Sequence, residues 1–206
     1  MKLLVATRSP GKQPEVRRLL AGCPFDVVFP DDAGVLETPA EAALELHDSF
    51  QANARAKAEY FGRLTGLPTV ADDSGLEVFS LGGDPGVRSK RWAQATGSAE
   101  QVDAANNAML LRRLSGATEA RRRARYRCVL VLLRKPGGLP ETFDASCAGL
   151  IGLEPQGTNG FGYDPYFVSG DLAKTFGEAT DAEKDAVSHR GQAFRGLIEA
   201  LTTHPL

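Results

Sequence analysis

The 206-residue chain has little cysteine, almost no net charge and no long hydrophobic run. Its cysteines, Cys23, Cys128 and Cys147, are widely spaced among apolar neighbours, which argues against a disulfide framework or a thiolate metal site. The formal net charge of −2 argues against a partner bound through bulk electrostatics, such as duplex DNA. The first apolar run, residues 3–6, is too short for a signal peptide, and no later run approaches a membrane span. We therefore expect a cytoplasmic protein that binds neither nucleic acid nor membrane.

The composition, 42% hydrophobic and 24% charged, is that of a folded globular chain, and no repeat or linker divides it. We expect a single domain over residues 1–206. Strands and helices alternate early and strands cluster later, which predicts an α/β fold with a mixed sheet. The predicted strands are residues 2–6, 69–72, 76–79, 125–133 and 141–150, with a turn at Ser74-Gly75. The predicted helices are residues 13–20, about 45–64, 98–114, a short helix capped by Thr180, and one from 188.

The most informative stretch is Gly157-Thr158-Asn159-Gly160-Phe161-Gly162-Tyr163-Asp164-Pro165. Three glycines, an Asn and a Pro force an irregular backbone, yet this loop also carries two aromatic rings and a carboxylate. Such a loop either stacks a flat ligand ring on Phe161 or inserts its aromatics into the core as a rigid turn. Taken by itself, the loop leaves both alternatives open.

A second segment, Thr7-Arg8-Ser9-Pro10-Gly11-Lys12, joins the first predicted strand to its helix. Backbone N–H groups at a helix N-terminus, a glycine, two hydroxyls and a lysine suit a phosphate. The segment is not a Walker A loop, because the second glycine is missing and Gln13 follows the lysine. The alternative is an ordinary loop whose serine caps the helix.

Asp72 and Asp73 are consecutive carboxylates at the end of an apolar strand, where burial without a positive partner is costly. Side chains on a strand alternate in direction, so we expect different functions for the two. One could ligate Mg²⁺ or hold a water while the other braces the loop; the alternative is an Asx turn with solvated acids. Glu45 is expected at the start of the long helix, where a carboxylate interacts favourably with the helix dipole. The alternative is that it shares a metal with Asp73.

Other polar groups are ambiguous. A stripe on the long helix, Ser49, Asn53 and Lys57, is typical of a solvated helix face. Donors between residues 174 and 191 suit a phosphate or the carbonyl edge of a base, although a lone histidine is more often structural. The only basic run, residues 121–127, is interpreted as a loop and a solvated strand face rather than a nucleic-acid site.

Five segments, in this order, resemble the Ham1-like family of inosine/xanthosine triphosphate pyrophosphatases, which remove non-standard purine nucleotides. They are Thr7-Arg8-Ser9-Pro10-Gly11-Lys12, Ser49-Phe50-Gln51-Ala52-Asn53-Ala54 with Lys57, Ala71-Asp72-Asp73-Ser74-Gly75-Leu76, Gly160-Phe161-Gly162-Tyr163-Asp164-Pro165 and Ser188-His189-Arg190-Gly191. Each motif is weak alone, but five in register over nearly the whole chain are specific.

The resemblance implies an elongated, two-lobed α/β fold with a long mixed sheet, flanking helices and a nucleotide cleft between the lobes. It also implies a homodimer, a Mg²⁺ requirement and hydrolysis of ITP, dITP or XTP to the monophosphate and pyrophosphate. By position, Glu45 and Asp73 would bind the metal, and Asp73 would also be the catalytic residue, as metal ligand or water activator. The implied substrate-binding residues are Thr7, Arg8, Ser9, Pro10, Gly11, Lys12, Ser74, Phe161, Gly162, Tyr163, Asp164, Lys184, His189 and Arg190.

The chain departs from the family pattern at two positions. The family usually has Asn where this chain has Ser9, and Glu where it has Ala52. Ser9 keeps a short polar group, so we expect phosphate binding to survive, whereas any role of the family's Glu is in doubt here.

Two rival functions remain. One is a pyrophosphatase for modified pyrimidine nucleotides, against which the Phe161 loop and the His189-Arg190 pair argue. The other is a non-catalytic nucleotide or RNA binder, which has little need for Asp72 and Asp73. For a purine enzyme, N–H donors around the base would accept a 6-oxo group and leave unpaired donors facing a 6-amino group.

Overall fold

The computed structural model describes residues 1–206 and contains one six-stranded sheet, five α-helices and four short 3-10 helices. The strands are β1 Lys2–Val5, β2 Asp26–Val28, β3 Thr69–Val78, β4 Arg123–Leu133, β5 Pro140–Ile151 and β6 Phe167–Ser169. The helices are α1 Lys12–Leu19, α2 Phe50–Thr65, α3 Ala99–Arg113, α4 Asp181–Val187 and α5 His189–Thr203. The 3-10 helices are Pro39–Glu45, Phe79–Leu81, Gly86–Arg88 and Glu119–Arg122.

The sheet is mixed, with strand order β2-β1-β3-β4-β5-β6. Strand β1 pairs in parallel with both β2 and β3, and β5 pairs with β6 in antiparallel fashion. Parallel pairing needs a crossover, and α1 and α2 lie in the two connections that supply it. The predicted α/β class with a mixed sheet is confirmed.

The chain divides into two compact units. The first consists of Met1–Asp73, Cys128–Ala145 and Gln192–Leu206. Its strand β1 is buried on both faces, as parallel strands usually are. Leu3 and Val5 pack with Phe194 and Leu197 of α5, while Leu4 packs in a separate cluster with the α2 residues. Helices therefore cover both faces of the sheet in this unit.

The second unit consists of Ser74–Arg127 and Ser146–Gly191. Its core contains aliphatic residues of β3 and α3 together with a group of aromatic rings. Tyr126, Phe167 and Phe176 pack with ring centroids 4.7–6.0 Å apart. The alternation of buried residues along the start of β4 places the Tyr126 ring in this core.

Helix ends follow the local sequence. Ser98 and Gln101 form a capping box at the start of α3, and Thr180 and Glu183 form one at α4, the helix that Thr180 was predicted to cap. Helix α2 begins after Ser49, whose side chain accepts a hydrogen bond from Ala52 N–H, and ends at a left-handed glycine. No helix has both the length and the apolar character needed to cross a membrane.

Two local predictions are wrong. Residues 69–78 form one continuous strand rather than two strands around a turn at Ser74-Gly75, because β3 is an inner strand hydrogen-bonded to β1 and β4. That pairing outweighs the turn tendency of serine and glycine. Glu45 does not begin the long helix; it ends the preceding 3-10 helix Pro39–Glu45, and α2 starts at Phe50 after its Ser49 cap.

Candidate active site

The first unit contains a group of polar and charged side chains that we call the acid–lysine cluster, formed by Glu45, Asn53, Lys57 and Asp73; all but the partly exposed Glu45 are buried. Asn53 Nδ2 donates to Asp73 Oδ2 over 2.8 Å. The Lys57 ammonium lies 2.8 Å from Glu45 Oε1 and 3.5 Å from Asp73 Oδ1. Asn53 and Lys57 are one turn apart on α2, so a single helix face presents the amide and the ammonium to the Asp73 carboxylate in the middle of β3. Asn53 and Lys57 of the predicted polar stripe are therefore buried rather than solvated, whereas Ser49, the N-cap of α2, is exposed.

The cluster shifts the pKa of each of its titratable groups. Burial raises the pKa of Asp73, and the nearby Lys57 and Lys12 ammonium groups and the Asn53 hydrogen bond only partly oppose it. The Lys57 ammonium lowers the pKa of Glu45. Burial alone would lower the pKa of Lys57, but the surrounding carboxylates outweigh it and the pKa is raised. Lys57 therefore stays charged, and Asp73 is the carboxylate best suited to take up a proton.

Asp72 has a different partner from its neighbour. Its Oδ2 lies 2.9 Å from the Lys12 ammonium, and its side chain is completely buried. The two consecutive aspartates thus serve different groups, as their alternation along the strand predicts. Asp72 holds the lysine of the 7–12 loop, and Asp73 belongs to the acid–lysine cluster.

The 7–12 loop leads directly into α1. Gly11 is the N-cap residue, and no side chain caps the helix, so the serine cap considered from the sequence is not formed. Ser9 instead accepts backbone hydrogen bonds from Lys12 and Gln13 through its carbonyl and donates its N–H to Thr7 Oγ1. An uncapped helix start beside a lysine is a suitable environment for an anion.

Arg8 is engaged elsewhere. Its guanidinium makes two hydrogen bonds to Glu41, at 2.7 and 2.9 Å, a third to the Val35 carbonyl at 2.9 Å, and contacts Asp31. The hydrogen bond to Glu41 is the main reason that the pKa of Arg8 is raised. Its charge is balanced by acidic side chains of the first unit, and its contact with a triphosphate stays a prediction.

The second unit contains residues 160–164, the loop that the resemblance would place around the base; we call it the base loop. Asp164 organises it from within: Oδ2 accepts from Phe161 N–H at 2.9 Å and from the Lys184 ammonium at 2.6 Å, and Oδ1 accepts from Tyr126 OH at 3.2 Å. Gly160 has φ +74°, and a Cβ there would lie 2.0 Å from Asp164 Oδ2. The loop therefore needs a glycine at this position, both for its backbone conformation and for the close approach of the carboxylate.

The Phe161 ring has two cations near it. Lys184 Nζ lies 5.1 Å from the ring centroid, and Arg190 Cζ lies 5.8 Å from it. Arg190 also donates to Ser74 Oγ over 2.8 Å. Phe161 is only partly buried, unlike the two cationic side chains. An aromatic face edged by cationic N–H donors can stack a heterocycle and hydrogen-bond its carbonyl oxygens.

His189 is fixed by the protein interior. Its ring stacks on Tyr126 with centroids 4.7 Å apart and planes 9° apart, and Nδ1 lies 3.9 Å from Cys147 Sγ. Tyr163 is also buried, and its hydroxyl donates to the Ser89 carbonyl over 2.9 Å. Tyr163 therefore anchors the base loop in the core, which is the role that the rigid-turn alternative gave to the loop's aromatics.

The carboxylates of the first unit could supply some of the ligands of a Mg²⁺ ion, but not a complete site. No group of three or more His, Cys, Asp or Glu side chains is arranged to hold a metal ion by itself. Glu45 and Asp73 both contact the Lys57 ammonium, so their carboxylates are neighbours. Mg²⁺ commonly uses one or two carboxylates together with substrate phosphates and water, and this pair fits that pattern.

Comparison with known proteins decides the family. The sequence profile of the Ham1 family matches residues 3–200. The chain belongs to the Ham1 family. It is 43% identical to a dITP/XTP pyrophosphatase of Anaeromyxobacter dehalogenans, across 98% of this chain and 97% of that protein. It is 45% identical to a dITP/XTP pyrophosphatase of Ralstonia nicotianae, across 97% and 96% of the two chains.

Solved structures agree with the Ham1 assignment. A HAM1 protein from Coxiella burnetii superimposes with a TM-score of 0.85 at 33% identity, covering 98% of this chain and 99% of that one. A nucleoside-triphosphatase, dITP/XTP pyrophosphatase, from Mycobacterium abscessus gives 0.72 at 40% identity, with both chains fully covered. The resemblance drawn from the sequence motifs is confirmed.

The structure places the sequence-predicted Ham1 residues in two groups, each within one unit. In the first unit are Thr7, Arg8, Ser9, Pro10, Gly11, Lys12, Glu45 and Asp73; in the second are Ser74, Phe161, Gly162, Tyr163, Asp164, Lys184, His189 and Arg190. Sequence reasoning missed Tyr126, which supports both Asp164 and His189. The alternation of β4 could have revealed it, since a tyrosine on a buried strand face must find a partner for its hydroxyl.

Proposed function

We propose that this Ham1 family protein hydrolyses non-canonical purine nucleoside triphosphates, such as dITP, ITP and XTP, to the monophosphate and pyrophosphate. The observation that carries the proposal is the environment of Asp73, a buried carboxylate with a raised pKa, bonded to Asn53 and close to Lys57. The names of the relatives, dITP/XTP pyrophosphatase, support the same substrate class.

In the proposed reaction, water attacks the α-phosphorus. A phosphorus–oxygen bond forms to the water oxygen while the bond to the α–β bridging oxygen breaks, and pyrophosphate leaves with that oxygen. Asp73 accepts the proton of the attacking water, for which its raised pKa is suited. Lys12, held by Asp72, neutralises charge on the non-bridging phosphate oxygens, the main electrostatic demand of phosphoryl transfer.

We further propose that activity requires Mg²⁺ and that Glu45 holds it, with Asp73 as a ligand being the alternative to its role as proton acceptor. The ion would supply additional positive charge at the phosphate oxygens. Glu45 keeps a lowered pKa beside Lys57, so it is ionised at neutral pH and available as a ligand. Titration of activity with Mg²⁺ after EDTA treatment tests this, and Glu45→Gln should require a higher Mg²⁺ concentration for half-maximal rate. Full activity in excess EDTA would contradict the requirement.

We assign discrimination between purine bases to residues of the second unit. The oxopurine ring would stack on Phe161, and its 6-oxo group would accept hydrogen bonds from Lys184, His189 or Arg190. The N–H groups of Phe161 and Gly162 already donate to Asp164 and Asp103, so the side-chain donors carry this selection. The 6-amino group of adenine is itself a donor, so it would leave those side-chain donors without an acceptor, and adenine is disfavoured.

A homodimer is also proposed. Seven large apolar residues are exposed: Met1, Leu36, Leu46, Leu64, Phe79, Leu139 and Leu153. Burying any of these side chains against a second copy would remove apolar surface from water, which is favourable. Light scattering coupled to size-exclusion chromatography should give about twice the 22.0 kDa chain mass, and a monomer at micromolar concentration would contradict the proposal.

A cytoplasmic location is proposed because the substrates belong to the nucleotide pool. The three cysteines are free thiols, which is compatible with a reducing compartment. Cell fractionation with an antibody tests this proposal. Recovery of the protein in a secreted or membrane fraction would contradict it.

The proposed reaction is tested by hydrolysing dITP in ¹⁸O-labelled water. We expect one labelled oxygen in the dIMP product and unlabelled pyrophosphate, as attack at the α-phosphorus requires. Label in the pyrophosphate would mean attack at the β-phosphorus. Release of orthophosphate would mean attack at the γ-phosphorus.

A further inference from the structure

We propose that Asp103 and Asn107 of α3 are positioning residues that fix the Gly162 peptide of the base loop and thereby set the affinity for the purine base. The inference rests on the proposed function in one respect, the assignment of residues 160–164 to base binding. Neither residue belongs to a motif noted in the sequence.

Two side chains of α3 hydrogen-bond the backbone N–H and the carbonyl of Gly162. Gly162 N–H donates to Asp103 Oδ2 over 3.0 Å, and Asn107 Nδ2 donates to the Gly162 carbonyl over 2.9 Å. Asp103 and Asn107 are four residues apart, so they project from the same face of the helix. The helix thus clamps Gly162 from both ends of its backbone.

The clamp acts where the loop has most freedom. Gly162 has φ +63°, and a Cβ there would meet nothing within 4 Å, so no neighbouring atom fills the space on that side of its Cα. Glycine is the residue with the largest choice of backbone conformations. The two hydrogen bonds to α3 restrict that choice, and Phe161, the immediate neighbour, carries the ring proposed to stack the base.

The same helix is itself firmly held. Asn106 Oδ1 accepts from Ala93 N–H at 2.8 Å, and its Nδ2 donates to the Lys90 carbonyl at 3.1 Å. The residue after Gly162, Tyr163, is anchored to the Ser89 carbonyl at 2.9 Å. The clamp therefore connects the base loop to a rigid support, which is what precise positioning of a ligand ring requires.

The charge of Asp103 is partly balanced by Lys90, whose ammonium lies 3.2 Å from Oδ1. The Lys90 side chain is 60% exposed, so this ion pair contributes little. The hydrogen bond to Gly162 N–H is then the functional contact of Asp103. Truncating the Lys90 side chain should leave the affinity for the base nearly unchanged. That result would distinguish the effect of the Gly162 hydrogen bonds from the effect of the ion pair.

The test is calorimetric binding of inosine monophosphate to purified variants, with dITP kinetics measured in parallel. Asp103→Ala and Asn107→Leu each remove one hydrogen bond and should weaken inosine monophosphate binding about fivefold to tenfold. They should raise the KM for dITP similarly while kcat stays within about twofold. Asp103→Asn keeps an acceptor oxygen and should lose less than Asp103→Ala.

Two controls isolate the effect. Ser98→Ala breaks the capping box of the same helix without touching Gly162, and Lys90→Ala removes only the ion pair. Neither should change the affinity for inosine monophosphate. Inhibition by inorganic pyrophosphate, which has no base, should be equal in all variants. Folding is checked by thermal denaturation, and Asp103→Asn provides the milder variant if Asp103→Ala does not fold.

The outcomes separate this inference from the proposed function. Unchanged inosine monophosphate affinity in folded Asp103→Ala and Asn107→Leu would overturn the clamp, as would an equal loss in Ser98→Ala or no binding to the wild-type protein. Wild-type protein that binds inosine monophosphate but does not hydrolyse dITP would contradict the proposed function alone.

Discussion

Asn53 donates a 2.8 Å hydrogen bond to Asp73, and both side chains are buried. The bond fixes the carboxylate in one orientation, in the middle of β3 and against a face of α2. Burial raises the pKa of Asp73, and the Asn53 amide works against that rise by stabilising the charged form. Asn53 therefore adjusts both the geometry and the proton affinity of the proposed catalytic group.

Replacing Asp73 tests its role directly. We expect Asp73→Asn to lower kcat for dITP by a factor on the order of 10³, because the amide cannot accept the proton of the attacking water. Binding of the nucleotide, measured by calorimetry, should persist. The exposed Asp48 lies in the same unit and offers a matched control, since Asp48→Asn should change neither quantity. A near-normal kcat in Asp73→Asn would remove Asp73 from the mechanism.

The pH dependence of kcat/KM should show an acidic limb that belongs to Asp73. Because the carboxylate must be ionised to act as a base, activity rises with pH through its pKa, which burial places above the ordinary aspartate value. Asn53→Ala removes a hydrogen bond that lowers this pKa, so the limb should move to higher pH. Measuring kcat/KM for both proteins across the acidic range checks the sign. A limb that stays in place or moves to lower pH would contradict the assignment.

Lys57 is expected to matter for stability as well as for activity. Lys57→Met leaves the buried Asp73 carboxylate without its nearest cation and should cost about 3 kcal/mol of unfolding free energy, measured by urea denaturation. Arg55 lies on the same helix in an exposed pair with Glu59. Arg55→Ala should cost less than about 1 kcal/mol. Equal costs for the two variants would show that the acid–lysine cluster is not energetically special.

Arg122 is a buried cation with a structural task. Its guanidinium donates to the carbonyls of Leu114, Ile151 and Gly152 in the second unit. Arg122→Met would remove these three hydrogen bonds and should cost about 2 kcal/mol in urea denaturation, with kcat for dITP unchanged. The neighbouring Arg123 is exposed, so Arg123→Met should be nearly neutral. A fall in kcat without a stability loss in Arg122→Met would instead give Arg122 a functional role.

Local signals were the part of the fold that the sequence predicted well. The capping boxes at Ser98 and Thr180 involve residues three positions apart, so the sequence contains all that determines them. The Ser74-Gly75 segment was mispredicted because its conformation is decided by strands that are distant in the chain. For the same reason the solvated appearance of Asn53 and Lys57 was misleading, since their acidic partner lies on a different element.

The residues of the candidate site likewise fall into those that the sequence reveals and those that it does not. Residue identity at Asp73 and Phe161 was readable because each lies inside a compact motif. The supports of those residues were not, because Tyr126, Asp103 and Asn107 act across 38 to 59 positions of sequence. A contact of that length leaves no periodic pattern in a single sequence. The alternation of β4 marks Tyr126 as a buried residue, but its partners, and those of Asp103 and Asn107, emerge only when the fold is known.

The most direct test of the account is the ratio of kcat/KM for dITP to that for dATP, measured with Mg²⁺ and with identification of the released anion. The two substrates differ only at the purine ring, so the ratio isolates base selection from phosphate chemistry. We expect dITP to be preferred by at least about 10³-fold, with pyrophosphate as the product. Equal rates for the two nucleotides, or turnover confined to pyrimidine triphosphates, would contradict it.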